Sequence, residues 1–226
     1  MCDYAALGES KERERITACL TDLESFDPKR IYIPAQTAFW LNVFNAVVLR
    51  DAPELALAGS VKEVETFFAL PRLRVGGLGY SLDAIEHGLL RGNVPKFGSR
   101  RPPMRRDDPR LAHMPLALDE RMHFALYSAA RSSPPFRVFD GGNLDAQLEE
   151  ASREYLRQHV RVQEEGAVVV LLRQFYWYAQ DFGGVQGSVE TALAPLDDEV
   201  VELVDRRRGR FEVRFAQFDW TLNQRS

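Results

Sequence analysis

Ala35-Gln36-Thr37-Ala38-Phe39-Trp40-Leu41-Asn42-Val43-Phe44-Asn45-Ala46-Val47-Val48-Leu49-Arg50 is the stretch on which the fold turns. Phe39, Trp40, Leu41, Phe44, Val47 and Val48 cover nearly every side of a helix. A helix that is apolar all round belongs inside a core. Two amides interrupt it. Asn42 and Asn45 share a stripe with Ala38 and Leu49, and a buried amide must find hydrogen-bond partners. Two roles fit them: orienting a catalytic histidine or holding substrate, and bonding loop backbone as part of the core.

Outward from this helix, residues 10–24 place Ile16, Leu20 and Leu23 at helical spacing before Asp27-Pro28. Residues 61–70 read as a short helix closed by Pro71, and residues 73–80 as a Gly-rich strand or hairpin. Ser81 is placed to cap a helix over 82–91, since its hydroxyl can take an orphan N–H of the first turn. Residues 92–115, rich in Pro, Gly and Arg, read as a loop and the segment expected to move as a flap. Residues 119–130 predict a helix with Asp119 near its start, although their alternation also fits a strand. A helix over 144–160, a buried strand over 167–172 and a helix over 173–181 ending at Gly183-Gly184 follow. Residues 200–204 and 211–215 alternate around Arg206 to Gly209, a hairpin pattern. Helices outnumber strands and no linker or repeat divides the chain. The expectation is α+β: a helix-rich single domain over residues 1–226 with a small antiparallel sheet.

The chain has 226 residues, enough for one well-filled core or two small ones. Its formal charge of −4 gives no general attraction for nucleic acid. No window approaches the run of about 20 apolar residues that spans a membrane. Met1-Cys2-Asp3-Tyr4 shows no basic region followed by an apolar run, so a cytoplasmic location is expected, with an exported longer form left open. Cys2 and Cys19 are the only cysteines, too few for a disulfide framework or a Cys-rich zinc site. No His-x-x-x-His pair exists, and no metal or cofactor is expected. Glu86 and His87 are neighbours, but adjacent helical residues point about 100° apart. Gly76-Gly77-x-Gly79 has turn spacing. Arg100-Arg101 and Arg105-Arg106, partly neutralised by Asp107-Asp108, read as a solvated basic loop.

Four blocks run in order along the chain: Ala38-Phe39-Trp40-Leu41-Asn42-Val43-Phe44-Asn45-Ala46; Tyr80-Ser81-Leu82-Asp83-Ala84-Ile85-Glu86-His87-Gly88-Leu89-Leu90-Arg91; Asp119-Glu120-Arg121-Met122-His123-Phe124-Ala125-Leu126 followed by Ser132-Ser133-Pro134-Pro135; and Phe218-Asp219-Trp220-Thr221-Leu222-Asn223. Together they resemble the domain-of-unknown-function 547 family, with Tyr176-Trp177-Tyr178 and Asp181-Phe182 as a weaker fifth match. The resemblance implies a domain likened to papain-like and transglutaminase-like thiol enzymes. In the family pattern the third block ends Ser-Cys-Pro. Here Ser133 stands at the thiol position, which puts a thiol mechanism in doubt.

Several polar residues fall inside these blocks. In a helix over 82–91, Leu82, Ile85 and Leu89 form an apolar stripe with Glu86 close to it. His87 lies four residues from Asp83 and from Arg91. Glu86, His87 and Arg91 form either a cluster facing a pocket or an ion-pair network. Arg121 and His123 share a face on a strand and diverge by about 160° on a helix. They suit an anion-binding arginine with a general base, or a histidine tied to a carbonyl or carboxylate. Ser133 needs an adjacent base to act as a nucleophile, and His87 and His123 are the candidates. Against this, it follows a helix end, and Pro134-Pro135 supply no N–H groups for an oxyanion hole.

The leading expectation is a papain- or transglutaminase-like site for peptide or amide substrates. Glu86, His87, His123 and Ser133 are its catalytic candidates, and Asn42, Asn45, Arg91 and Arg121 its substrate-binding ones. The alternative is a non-catalytic binding or scaffold module in which the same residues are structural ties.

Overall fold

The computed structural model describes residues 3–56, 59–64, 66–115 and 117–224, so the reading of Cys2 lies outside the described residues. The chain divides into two compact units, residues 1–147 with 219–226, and residues 148–218.

The first unit holds helices α1 (Tyr4–Gly8), α2 (Lys11–Asp22) and α3 (Ile33–Ala56), the strands β1 (Leu73–Val75) and β2 (Leu78–Tyr80), and a π-helix over Ala84–Leu90. Helix α2 starts at Ser10, whose Oγ accepts from the Arg13 N–H at 3.1 Å. Helix α3 is the expected buried one. Trp40, Leu41, Phe44, Val47 and Val48 are each no more than 1% exposed. The Trp40 indole N–H donates to the His113 carbonyl at 2.8 Å, so the largest core side chain leaves no polar atom idle. Although α3 is long and apolar, no helix among the described residues is long and apolar enough to cross a membrane.

Strands β1 and β2 form the expected hairpin, antiparallel with Leu73 opposite Tyr80. Ser81 then caps the following helix as anticipated, its Oγ accepting from the Ala84 N–H at 3.0 Å. The helix takes the wider π pitch: Arg91 N–H bonds the Glu86 carbonyl at 2.9 Å, five residues back. Packing at Gly88 accompanies this. A Cβ there would sit 2.6 Å from Met104 Cε, so the glycine lets the following loop close over the helix.

Two helices expected in this unit shrink to single 3-10 turns. Among the described residues of 61–70 only Val61–Glu63 is helical, in a stretch whose β-branched Val61, Val64 and Thr66 favour helix weakly. Residues 119–130 give only Glu120–Phe124, with Asp119 capping the Arg121 N–H. Beyond Phe124 the backbone is recruited elsewhere. Asn45 takes Ala125 and Tyr127, while Ala129, Ala130 and Arg131 bond the chain around residues 221–223. Tertiary hydrogen bonds override the local pattern there.

The second unit contains most of α4 (Leu144–His159), with strands β3 (Arg161–Gln163) and β4 (Val168–Leu171), helices α5 (Arg173–Trp177), α6 (Gly184–Leu193) and α7 (Asp198–Asp205), and strand β5 (Glu212–Phe215). The sheet order is β3-β4-β5. Strand β3 runs antiparallel to β4, and β5 parallel to it with Val169 opposite Val213. This corrects two expectations. Residues 200–204 and 211–215 are not a hairpin, because the first run is helical. Val200, Val201, Leu203 and Val204 satisfy a helical face as well as a strand face, and Asp198 and Glu199 favour a helix N-terminus. The sheet is consequently mixed, not purely antiparallel. Tyr155, Leu156, Val168, Val169, Leu171, Phe175 and Val189 fill this unit's core, with the Phe175 and Phe182 rings 4.7 Å apart. The helix-rich α+β character with small sheets holds for the chain.

Candidate functional site

The eight candidate residues all fall in the first unit, but in three separate settings. The first is the π-helix. His87 and Arg91 are buried there, and Arg91 Nη1 lies 3.1 Å from His87 Nδ1. A guanidinium has only donors, so Nδ1 must accept and the imidazole is neutral with its proton on Nε2. That nitrogen faces Asp83 Oδ1 at 3.8 Å. Glu86 Oε1 is 3.8 Å from Nδ1, so the expected divergence of neighbours does not keep them apart. Lys96 ties Asp83 at 2.7 Å, and Arg91 also reaches the Pro95 carbonyl at 3.4 Å. His123, buried on the 3-10 turn, is close enough to act electrostatically on His87.

Burial holds the His87 imidazole well below its ordinary 6.5, reinforced by the positive charge of Arg91 and opposed by Asp83. A lowered histidine value means the folded state refuses a proton that the unfolded chain accepts. Stability is therefore complete above pH 6.5 and falls as pH drops toward the folded value. We expect a loss of about 1.4 kcal/mol per pH unit below the unfolded value. Urea titrations at stepped pH should show this slope in the parent and a flatter one in His87→Gln. Equal slopes would mean that His87 is protonated in the fold.

The second setting is an open groove of about 950 Å³, lined by Thr37, Asp119, Glu120, Arg121, Asp145 and the Gly141-Gly142-Asn143 turn among others. Arg121 forks onto Asp119 at 2.9 and 2.7 Å and reaches Asp145 Oδ1 at 2.8 Å. These bonds, Asp119's first, raise the Arg121 guanidinium above its ordinary value. Gly141 shapes the rim, since a Cβ there would stand 2.4 Å from Ala35 Cβ. Arg121 and His123 thus diverge, one facing the groove and the other the interior.

The third setting is a set of struts. Asn42 donates to the Phe139 carbonyl at 2.7 Å and accepts its N–H at 2.8 Å. Asn45 donates to Ala125 and Arg137 carbonyls and accepts from Tyr127 N–H. The Ser133 hydroxyl accepts from Ser128 N–H at 2.7 Å and donates to the Pro134 carbonyl at 3.0 Å.

Sequence reasoning passed over Asp119, Glu120 and Asp145 as groove residues, and over His113. The Asp119-x-Arg121 spacing was a usable signal, because a carboxylate two residues before an arginine suits a fork. His113 had no such signal. Its Nδ1 meets the Tyr80 hydroxyl at 2.6 Å, and burial lowers the imidazole and raises the phenol. With the Trp40 bond it fixes the far end of the loop expected to move. Among the described residues no three of His, Cys, Asp or Glu converge to hold a metal ion.

Fold and site define a helix-rich α+β chain whose first unit holds a buried histidine–arginine cluster and a separate carboxylate-lined groove. The family described as protein of unknown function, DUF547, matches residues 29–156, more than half of the 226, and the chain belongs to it. The first three sequence blocks lie within the match and the fourth lies beyond it. No curated protein and no solved structure matches the chain.

Proposed function

We propose that this chain is a peptide-binding member of its family in which the papain- or transglutaminase-like nucleophile position is structural. The observation that carries this is the Ser133 hydroxyl, whose proton goes to one backbone carbonyl while its oxygen receives a backbone N–H. A nucleophile needs its proton directed at a base. Residues 134–140 are non-helical and begin with two prolines, which offer neither a helix N-terminus nor two N–H groups to a developing oxyanion. Asn42 and Asn45 spend their amides on loop backbone.

Ligand then belongs in the groove. Three carboxylates and one guanidinium line it, and that guanidinium already spans Asp119 and Asp145. Arg121 acts as the brace that sets the acids in place, and the net charge of the lining favours a peptide carrying a basic side chain. A fluorescein-labelled lysine-containing peptide should bind where its glutamate counterpart does not. Glu120→Gln and Asp145→Asn should each weaken it about two- to fivefold, the range for exposed ion pairs. Ser133→Ala should leave binding intact while lowering stability by about 1–3 kcal/mol, since it strands the Ser128 N–H. Indifference to peptide charge would sink the reading.

A second reading keeps Glu86, His87 and His123 as catalytic residues. The buried pair of histidines beside a π-helix favours it, because π turns often occur at functional sites. It requires Arg91 to release His87 Nδ1. Amide turnover abolished by Ser133→Ala at unchanged stability would establish it over the first.

A further inference from the structure

We propose that the loop of residues 92–106 is a membrane-docking tip that binds anionic lipid headgroups. The segment carries Lys96, Arg100, Arg101, Arg105 and Arg106 and no acidic residue, so it holds +5 in a chain of formal charge −4 and the remainder holds −9. All eight residues from 96 to 103 are exposed, which places them on a crest. Phe97, 53% exposed, stands among the cations.

The crest is ordered by its own hydrogen bonds. Ser99 N–H bonds the Lys96 carbonyl at 2.9 Å, and Ser99 Oγ accepts from Arg101 N–H at 3.2 Å and donates to its carbonyl at 3.0 Å. Gly98, at φ +82°, supplies the left-handed turn between them. The base is clamped by Met104, buried against Gly88 and bonded at both N and O to the Asn93 amide. The arrangement presents cations and an aromatic ring at fixed positions.

Lys96 is spent on Asp83, and Arg105 is loosely paired with the exposed Asp107. Arg100, Arg101 and Arg106 make no ion pair among the described residues. A lipid surface suits this geometry better than a nucleic-acid duplex. A flat sheet of anionic headgroups can be met by the tip alone, and an aromatic side chain gains by entering the interface. A duplex would have to be approached by the acidic remainder of the chain, which repels it.

The test is co-sedimentation of the full chain with phosphatidylcholine vesicles, with and without about one-third phosphatidylserine, at about 0.1 M and about 1 M salt. Binding is expected only with phosphatidylserine and only at the lower salt. Each arginine removed from the surface should weaken binding about fivefold, so R100A/R101A should lose about 25-fold. Both side chains are exposed and the Ser99 bonds use Arg101 backbone, so this variant keeps its fold, checked by its thermal melt. F97S should weaken binding while leaving the salt dependence in place. Binding to neutral vesicles alike, no sedimentation at the lower salt, or R100A/R101A binding like the parent would overturn the proposal. So would tighter binding to a uridine oligonucleotide or a poly-glutamate peptide than to the anionic vesicles, which would reassign the tip to that partner.

Discussion

Asn45→Ala is expected to cost about 3–5 kcal/mol of folding stability, because three backbone groups, two buried and one part-buried, lose their partner at once. The side chain is fully buried, with Nδ2 donating to Ala125 O at 3.1 Å and Arg137 O at 3.2 Å, and Oδ1 accepting from Tyr127 N–H at 2.9 Å. No secondary structure satisfies these groups, since residues 125–127 and 137 lie outside every helix and strand. One amide therefore replaces a missing strand between two loop segments. Asn45→Leu should fare no better, because matching the volume still leaves two carbonyls and an N–H without that partner. Asn45→Asp should also be costly, since a carboxylate cannot donate to either carbonyl. Urea unfolding gives the number directly. A loss below about 1 kcal/mol, accompanied by lost peptide binding, would return Asn45 to the substrate-binding role.

That single residue illustrates how much was legible. Helix α3 could be read because its apolar residues leave no face for water, and the need of Asn42 and Asn45 for partners followed from the same burial. Which partners they take could not be read, because Ala125 and Arg137 are about 80 and 90 residues away and reach Asn45 only through the tertiary fold. The capture of residues 125–131 by Asn45 and by the terminal segment is also what shortened the helix expected over 119–130.

The site was legible in its members and not in its grouping. Asp83, His87 and Arg91 were placed on one flank by their spacing, and the structure keeps them together. The π pitch could not be foreseen, since it accompanies Met104 seated against Gly88, a contact between residues 16 positions apart. Arg121 and His123 were expected to diverge on a helix, with a strand that would join them left open, and the 3-10 turn gives divergence. Ser133 could be identified as the wrong atom for a thiol site from its block alone. That its hydroxyl is taken up by Ser128 and Pro134 depends on a turn no local pattern specifies.

Asp51→Ala is the second large effect expected, at about 3–5 kcal/mol, because it strands the Arg50 guanidinium at the edge of the core and leaves Arg72 with Glu54 alone. Asp51 is 4% exposed. Arg50 holds it in a fork at 2.6 and 2.8 Å, and Arg72 Nη1 adds a contact at 3.3 Å. Arg50 also donates to the Arg72 carbonyl, and Arg72 to the Phe67 carbonyl while lying over the Phe67 ring. Those bonds hold both cations in place after the carboxylate is gone, so they cannot swing into water without breaking the link between α3 and the segment before β1. Asp51→Asn, which keeps the shape and one acceptor, should recover part of the loss. Screening scarcely reaches so buried a pair, so the deficit should persist in about 1 M salt. A deficit that vanishes there would mean that the arginines reach solvent. Asp51 lies about 9 Å along α3 from Asn45 and shares none of its partners, so the two losses should add. Their sum is comparable to the whole stability of about 5–15 kcal/mol of a typical domain. The double variant should therefore be unfolded, or nearly so, under conditions where each single variant still gives a cooperative urea transition.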